Sequence, residues 1–438
     1  MGYGHQRAVS PLEDIAAYPK GWNTKAHPII TANNYPGIPK SDRARWEGGR
    51  SIYEKISRLK KVPLLGSVIF GAMDKMQEIQ PFYPKRDLTK PTLQLRQIYG
   101  MIKNGWGKHL IDELNKNPLP LITSFFTTAF FAEEHDYNGD IYCICTDTDI
   151  SRAWVALNPA ESRIQYLAPN KRVKQRLQLY GVSEDRIYVT GFPLPKENIG
   201  GRRSLNILKE SLGKRICKLD PHARYQNKYD QTIEHFLGKR YCELVQRPLT
   251  ITFAVGGAGA QREIGTDILR SLQEHIKNGD VRLNLVAGVR NEVYRYYVSE
   301  IEALCLSEEA EKNVHIVYAT DKNQYFADFN SCLLTTDILW TKPSELSFYS
   351  GLGLPIIMSP TIGSQEEYNK AYLHAIGAGF MQEDPKYTNE WLFDWLESGR
   401  LAEAAMQGFL DAPRNGAFHI EDIVLRGKRS EIEDMHLM

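Results

Sequence analysis

Residues 250–264 read TITFAVGGAGAQREI, and this stretch decides the fold of the second half of the chain. A run of β-branched and aromatic residues predicts a buried strand, and the glycines with the following Gln261 predict a tight turn into a helix. Gly256, Gly257 and Gly259 permit positive φ and let a phosphate approach the backbone, where the N–H groups of the helix start favour an anion. The stretch therefore predicts a phosphate-binding turn. A plain strand-to-helix turn, which needs glycine in any case, is the alternative.

Two common nucleotide motifs are excluded at this turn. No Gly-Lys-Ser or Gly-Lys-Thr follows it, as a P-loop requires, and no acidic residue ends a following short strand, as the nicotinamide fingerprint requires.

Strand-like runs alternate with helical stretches on both sides of this turn. In the second half they are 249–255, 282–288, 313–319, 331–342 and 354–360, and in the first half they lie at 118–126, 140–147, 163–170 and 186–193, with a helix that ends at Gly181. Strands separated by helices indicate parallel sheets covered on both faces. The fold class predicted is α/β, with two facing, doubly wound, Rossmann-like parallel sheets and a cleft between them.

The same pattern predicts the domain limits. Residues 1–197 form a first Rossmann-like domain, 198–247 a hinge with a helical insertion, 248–384 a second Rossmann-like domain, and 385–438 a helical tail.

The first residues, MGYGHQRAV (1–9), look like the glycine turn of the second half without its strand. We expect an upstream strand that the sequence as given does not contain. Gly2, Gly4 and Arg7 are candidates for an anion site. His5 is a candidate general base or phosphate donor, with a helix-capping histidine as the alternative.

Carboxylates follow the strand at 140–147. Asp147 and Asp149 come at its carboxyl end, where they can take a proton from a hydroxyl or orient a histidine. Arg152 can neutralise a phosphate or pair with Asp149. The alternative is that the Thr-Asp pair caps the next helix.

Polar residues also follow two later strands. Lys342 ends the strand 331–342, and Ser344 is a predicted N-cap for a helix that begins at Glu345. Three further polar residues open the helix after 354–360, namely Gln365, Glu366 and Asn369. Residues 366 and 369 share a helix face and suit hydroxyl recognition. A solvated helix end is the alternative.

The composition is that of an ordinary globular protein, with 42% hydrophobic and 24% charged residues among 438, and no apolar run predicts a membrane span. Residues 1–110 hold 18 Lys plus Arg against 8 Asp plus Glu, whereas the rest holds 36 against 45. This asymmetry suggests an anionic partner for the front of the chain, and a solvated basic face is the alternative. The six cysteines, Cys143, Cys145, Cys217, Cys242, Cys305 and Cys332, show no metal-ligand spacing, and we expect them to be reduced in a cytosolic protein.

Taken together, the motifs resemble the GT-B glycosyltransferases. The residues that carry the resemblance are GYGH (2–5), GFP (191–193), the glycine turn at 256–259, TKP (341–343), GLGLP (351–355) and SQEEYNKAYLHAIGAG (364–379). The monogalactosyldiacylglycerol synthases, and the bacterial enzymes that add N-acetylglucosamine to the peptidoglycan lipid intermediate, are the most similar within that fold.

The resemblance implies a metal-independent enzyme without a cofactor, which moves a sugar from a nucleotide-sugar, usually a UDP-sugar, to a lipid or other membrane-proximal acceptor. It makes 248–384 the domain for the nucleotide-sugar and 1–197 the domain on the acceptor side. The three glycines of the turn would then contact the diphosphate of the donor, and Gln365, Glu366 and Asn369 would contact its sugar. Gly4 and His5 would lie at the reaction centre. It also implies a cytoplasmic protein, peripheral on the inner face of the membrane, where the basic and apolar residues 55–73 would dock on anionic lipid. A core helix with a basic outer face is the alternative for 55–73. A nucleic-acid partner is not expected, because regularly spaced aromatic residues are lacking.

Two departures from the family pattern leave other functions open. Residues 148–153, TDISRA, lack the histidine that the lipid-galactose enzymes have there. Counting back from GLGLP places Phe348 where the family has its ribose-binding glutamate, and Glu345 fits only with a shorter turn. The alternatives are a sugar-nucleotide epimerase of the same fold and a catalytically degenerate binding protein.

Overall fold

The computed structural model describes residues 3–17, 29–59, 78–239, 241–242, 247–254, 259, 261–361 and 363–427, and of residues 50–59 only the backbone. The described residues form two compact units. The first consists of those within 1–193, 363–368 and 415–438, and the second of those within 194–362 and 369–414. The helical insertion thus groups with the second unit, and the end of the predicted tail groups with the first.

The sheet of the first unit is fully parallel, as predicted. Its strands are β1 (Leu121–Thr123), β2 (Ile141–Ile144), β3 (Gln165–Ala168) and β4 (Ile187–Val189), in the order β1-β2-β3-β4. The described helices within residues 1–193 are α1 (Tyr3–Val9), α2 (Lys40–Leu59), α3 (Leu93–Lys103), α4 (Lys108–Leu114), α5 (Phe126–Glu134) and α6 (Lys171–Leu179). A 3-10 turn over Ser10–Ile15 follows α1.

The predicted stop of α6 at Gly181 is confirmed in its geometry. Gly181 has φ +91°, and the N–H of Val182 reaches back to the carbonyl of Leu177 at 3.0 Å. This bond pattern closes a helix in a Schellman motif, where glycine takes the left-handed position without steric cost.

The expectation of an N-terminal glycine loop is wrong for the residues that the structure describes. Tyr3–Val9 are helical, and Gly4 and His5 lie inside the helix, while Gly2 lies outside the described residues. A glycine inside a helix costs about 1 kcal/mol relative to alanine. Burial of Ala8 and the contacts of His5 described below favour the helix.

The second unit contains the larger sheet, again parallel. Its strands are β5 (Leu249–Ala254), β6 (Val281–Gly288), β7 (Val314–Tyr318), β8 (Ile338–Thr341), β9 (Ile356–Met358) and β10 (Gly379–Met381), in the order β10-β9-β8-β5-β6-β7. The described helices in this part of the chain are α7 (Asn206–Leu219), α8 (Arg224–Leu237), α9 (Arg262–Ser271), α10 (Gln273–Lys277), α11 (Asn291–Ala303), α12 (Lys322–Thr335), α13 (Ser364–Ala375), α14 (Thr388–Glu397), α15 (Arg400–Asp411) and α16 (Gly416–Arg426). Of these, α16 belongs to the first unit, and α13 is divided between the two units after Tyr368. This strand order is that of the dinucleotide-binding Rossmann fold.

Two strand predictions need correction in this sheet. The apolar run 331–342 is split, because α12 continues to Thr335 and β8 begins only at Ile338. The break falls at Asp337, whose buried carboxylate accepts from the backbone N–H of Thr250 at 2.9 Å and pairs with Arg247. The short strand β10 was not predicted.

The insertion helix α7 is fastened to the second unit by a buried arginine. The guanidinium of Arg215 donates to the carbonyls of Thr336, Leu352 and Gly353 at 2.8–3.0 Å. These carbonyls follow α12 and end a 3-10 turn, so Arg215 satisfies acceptors that no helix bond reaches.

The prediction that all six cysteines are reduced is wrong. Cys217 at the end of α7 forms a disulfide with Cys242, with a Cα–Cα distance of 5.9 Å. The close approach of the two segments is supported at Gly213 of α7, where an added Cβ would lie 2.4 Å from the carbonyl oxygen of Tyr241. Cys143, Cys145, Cys305 and Cys332 are free thiols.

None of the helices among the described residues is long and apolar enough to cross a membrane.

Candidate functional site

The second sheet changes direction between β5 and β8. From β5 the chain winds outward through β6 and β7, and it then returns to build β8, β9 and β10 on the other side. In open parallel sheets of this kind, ligands bind at the carboxyl ends of the strands that flank such a point.

Hydrogen bonds join the carboxyl ends of three strands at this point. The hydroxyl of Thr341, the last residue of β8, donates to the carbonyl of Ala254, the last residue of β5, at 3.1 Å. The N–H of Ser359, next after β9, donates to the carbonyl of Thr341 at 3.0 Å. The side chain of Gln261 donates to the carbonyl of Pro360 at 2.8 Å, and so ties the loop after β5 to the loop after β9. We call Gln261 and Pro360 the loop clasp.

The turn into α9 holds two residues with left-handed backbone. Gly259 has φ +69° and Gln261, the N-cap residue of α9, has φ +68°. For a residue with a side chain this conformation costs roughly 1–2 kcal/mol. Backbone strain of this kind often occurs at ligand-binding turns. Gly256 and Gly257 lie outside the described residues.

Helix caps differ between the centre and the edge of this sheet. Asp321 caps α12, which follows edge strand β7, by accepting from the N–H groups of Asn323 and Gln324. Among the described helix starts after β5, β6 and β8, in contrast, the N-cap side chains of Gln261, Arg290 and Ser344 make no such bond. Helix N-termini without a capping side chain leave their N–H groups to other acceptors, and anions bind such termini well.

Lys342, Ser344 and Glu345 follow β8 at the same edge, half-buried. The predicted helix does begin at Glu345, as a 3-10 helix to Leu352, but the Ser344 side chain does not cap it. Phe348 is 1% exposed, and its ring centroid lies 5.9 Å from that of Tyr372. Phe348, the residue that counting back from GLGLP places at the ribose, is therefore part of the hydrophobic core. Glu345 is the residue of this helix that brings a carboxylate to the edge of the sheet.

The three polar residues of α13 are only partly brought together. Glu366 and Asn369 are buried, at 9% and 1% exposure, and lie one helical turn apart as predicted, while Gln365 is half-buried. Residues 363–368 group with the first unit, where Tyr368 donates to the carbonyl of Ile79 at 2.8 Å, and Asn369 groups with the second.

In the first unit, His5 lies at the carboxyl end of β1. Its Nδ1 is 2.7 Å from the carbonyl oxygen of Ser124, and the Ser124 hydroxyl donates to the carbonyl of His5 at 2.6 Å. A carbonyl oxygen only accepts, so Nδ1 carries the hydrogen and Nε2 carries the lone pair of the neutral ring. The ring lies edge-on to Phe125 with centroids 4.9 Å apart.

Asp149 and Arg152 have structural roles instead of the predicted catalytic ones. Both oxygens of Asp149 accept from the guanidinium of Arg176 at 2.8 Å, and the two side chains are buried. Arg152 donates to four backbone carbonyls, those of Thr89, Val155, Ala156 and Leu157. Arg152 does not pair with Asp149, because both groups are fully engaged elsewhere. Asp147 lies half-buried just past β2.

The two ends of the described chain meet over the carboxyl edge of the first sheet. His5 in α1 contacts the end of β1, and the following 3-10 turn contacts α16. His419 of α16 bonds through Nδ1 to the carbonyl of Thr190, just after β4, at 2.8 Å. Four strands are about 14 Å wide, which residues 3–15 can span. Arg7 lies buried in this segment, with its guanidinium carbon 5.8 Å from the ring of Tyr3.

The free thiol of Cys145 is fully buried. Burial raises the pKa of the Cys145 thiol well above its usual value, so it stays protonated. No group of three or more metal-ligating side chains occurs in the part of the chain that the structure describes.

No protein family and no curated protein matches the chain. Several solved structures are similar to it. A UDP-GlcNAc 2-epimerase from Neisseria meningitidis, bound to UDP-GlcNAc, is 14% identical with a TM-score of 0.45, covering 77% of this chain and 84% of its own. A protein from Listeria monocytogenes that has been assigned as a UDP-N-acetylglucosamine 2-epimerase is 11% identical, with a TM-score of 0.44. The match covers 78% of this chain and 82% of the other. MurG from Acinetobacter baumannii is 13% identical with a TM-score of 0.43, covering 78% and 82%.

These structures are of the GT-B type, the type that the sequence motifs resemble. At TM-scores below 0.5 these similarities carry no argument about this chain, and its function is inferred from its residues.

Proposed function

We propose that this protein is a glycosyltransferase that binds a nucleotide-sugar, a UDP-sugar by its motifs, at the carboxyl edge of the second sheet. The observation that carries the proposal is the convergence of the ends of β5, β8 and β9 at the loop clasp, beside a helix start with left-handed backbone. This is the place where a Rossmann-type sheet receives a nucleotide.

The residues at this edge supply complementary chemistry for the diphosphate and the ribose of a nucleotide-sugar. The N–H groups at the start of α9 suit the diphosphate, with Gly256, Gly257 and Gly259 allowing its close approach. Lys342 supplies positive charge for the leaving diphosphate, and Glu345 supplies a carboxylate for the ribose hydroxyls. In this proposal the leaving group is stabilised by N–H groups and cations, without a metal.

His5 is the proposed base for the acceptor hydroxyl, because its tautomer leaves the lone pair on Nε2. Proton transfer by a positioned side chain contributes typically 10²–10⁴-fold to a rate. The proposed acceptor is a lipid or other membrane-proximal alcohol, reached from the cytoplasmic face of a membrane through residues 55–73. Of this segment, 55–59 form the end of α2 and 60–73 lie outside the described residues.

A second candidate is a binding protein without catalysis. It is favoured by the engagement of Asp149 with Arg176 and of Arg152 with four carbonyls, which removes two of the predicted catalytic groups. A sugar-nucleotide epimerase is a further alternative, since it would need a donor site but no acceptor.

A thermal-shift panel of UDP, UDP-glucose, UDP-galactose, UDP-N-acetylglucosamine, GDP, dTDP and ATP tests the donor site. A ligand that binds only the folded state raises its stability by mass action, so we expect a shift confined to one nucleotide family. No shift with any of the seven would contradict the proposal. Nuclear magnetic resonance of the sugar, after incubation with the bound donor alone and with the donor plus an added acceptor alcohol, then separates the three functions, because epimers differ in coupling constants but not in mass. An epimerase changes the sugar, a transferase needs an added acceptor, and a binding protein leaves the donor intact in both cases.

A further inference from the structure

Ser359 carries a buried hydroxyl that the fold itself does not use. Its side chain is 1% exposed, and its Oγ has no hydrogen-bond partner among the residues that the structure describes. A buried polar atom without a partner is unfavourable, and its presence in a folded protein calls for an explanation such as a ligand.

The strand register fixes the face of the sheet on which Ser359 lies. Phe253 pairs with Trp340, and Trp340 pairs with Ile357, so these three side chains share one face. Ser359 lies two residues beyond Ile357, and its N–H continues the ladder to β8. Because side chains alternate along a strand, the Ser359 side chain points to the same face.

Helix α9 covers that face. A Cβ added at Gly265 of α9 would lie 3.0 Å from the ring of Phe253. The helix begins after Gln261, whose side chain donates to the carbonyl of Pro360, the neighbour of Ser359. The start of α9 and the Ser359 hydroxyl therefore lie together, on one face and at one end of the sheet.

We infer that Ser359 donates a hydrogen bond to a phosphate oxygen of a nucleoside diphosphate bound at the start of α9; this inference rests on the donor site proposed above. The hydroxyl can rotate toward an anionic oxygen, which accepts strongly. The bond would give the buried Oγ the partner that the fold does not provide. Ser359 is thus an additional residue that sets affinity for the diphosphate, beside the glycines of the turn.

Isothermal titration of UDP into the full chain tests the inference, with Ser359→Ala compared with Ser347→Ala. Ser347 is a matched control, because it is 0% exposed, its Oγ also lacks a partner among the described residues, and it lies in the 3-10 helix after β8. We expect Ser359→Ala to weaken UDP binding by about five- to tenfold, as for loss of one hydrogen bond, and Ser347→Ala to leave it unchanged. Without ligand, Ser359→Ala should melt at the wild-type temperature or above, since no bond is lost.

The outcomes separate the inference from the proposed function. If the wild type binds UDP and Ser359→Ala binds it equally well, the inference is overturned and the donor site stands. An equal loss in both variants also overturns it, because the effect would then come from any change in the core. If the wild type binds neither UDP nor another nucleotide of the panel, the donor site fails and the inference fails with it. Should Ser359→Ala not fold, the near-isosteric Ser359→Cys, a much weaker donor, gives the same comparison.

Discussion

His5 and Ser124 hold each other through two hydrogen bonds across a sequence separation of 119 residues. The bond from Nδ1 to the Ser124 carbonyl at 2.7 Å fixes both the tautomer and the orientation of the imidazole. A histidine used only to anchor the first helix would need this bond alone. A general base would also use the lone pair on Nε2 to accept a proton from the acceptor hydroxyl.

His5→Asn separates these two roles. The asparagine amide can donate to the Ser124 carbonyl much as Nδ1 does, but it offers no basic nitrogen at the position of Nε2. We expect a folded protein with unchanged nucleotide affinity and a turnover lowered by about 10²–10⁴-fold. Steady-state kinetics with the donor identified by the panel measures this. Near wild-type turnover would show that His5 only anchors the helix, and Ser124→Ala serves as a control for loss of the second bond.

Asp149→Asn should destabilise the first unit, and any loss of activity should follow from that loss of stability. Removing one partner of a buried ion pair leaves the other charge uncompensated, and the free energy of unfolding falls by about 3–5 kcal/mol. Urea denaturation checks this. The double variant Asp149→Leu with Arg176→Met should recover much of the loss, because the stranded charge is also removed. A stable but inactive Asp149→Asn protein would instead restore the catalytic role predicted from the sequence.

Arg215→Met should loosen the insertion helix from the second unit. Burial lowers the pKa of Arg215 to about 10, so the guanidinium is still charged at neutral pH when it donates to its carbonyls. The substitution leaves these acceptors without a donor, at an expected cost of about 3 kcal/mol in the free energy of unfolding. The exposed Arg203→Met is the control and should change stability by less than about 0.5 kcal/mol. Equal midpoints in urea for the two variants would contradict the structural role of Arg215.

The strand pattern was predictable because most strands are apolar runs bounded by turn residues. The pattern failed where local sequence does not mark the boundary. Apart from Asp337 and Lys342, residues 331–342 are apolar, Ser or Thr, so the end of α12 and the start of β8 look like one strand. Strand β10 has three residues and begins with Gly379, a residue that strands disfavour, so no apolar run marks it.

The sequence predicted which candidate site residues follow the ends of strands. It did not predict which residues their side chains contact in the folded protein. Lys342, Glu345 and Gln261 do follow strand ends at the edge of the second sheet. The partner of Asp149, however, is 27 residues away on α6, and nothing in the local sequence identifies it. His419 was missed for the same reason, since it meets Thr190 across 229 residues.

The loop clasp predicts a difference between two glutamines that make similar bonds. The side chain of Gln273 donates to the carbonyl of Leu304 at 2.7 Å, as that of Gln261 donates to Pro360. Each change to alanine removes one such bond and should lower the free energy of unfolding by about 1 kcal/mol. Only Gln261→Ala should also weaken nucleotide binding, because it frees the loop after β5. Calorimetric titration decides this, and equal affinities in the two variants would exclude the clasp from the donor site.

The Cys217–Cys242 disulfide predicts the number of free thiols. Of the six cysteines, four are free in the structure. Titration of the unfolded, unreduced protein with a thiol reagent should therefore give four equivalents, whereas six would restore the reduced state that the sequence predicted. The bond closes a loop of 25 residues, so a Cys217→Ser variant should lose about 3 kcal/mol of unfolding free energy in the chain-entropy estimate. The exposed Cys305→Ser is the control. It should leave the midpoint of urea unfolding unchanged, and Cys217 and Cys242 should remain unreactive toward the thiol reagent.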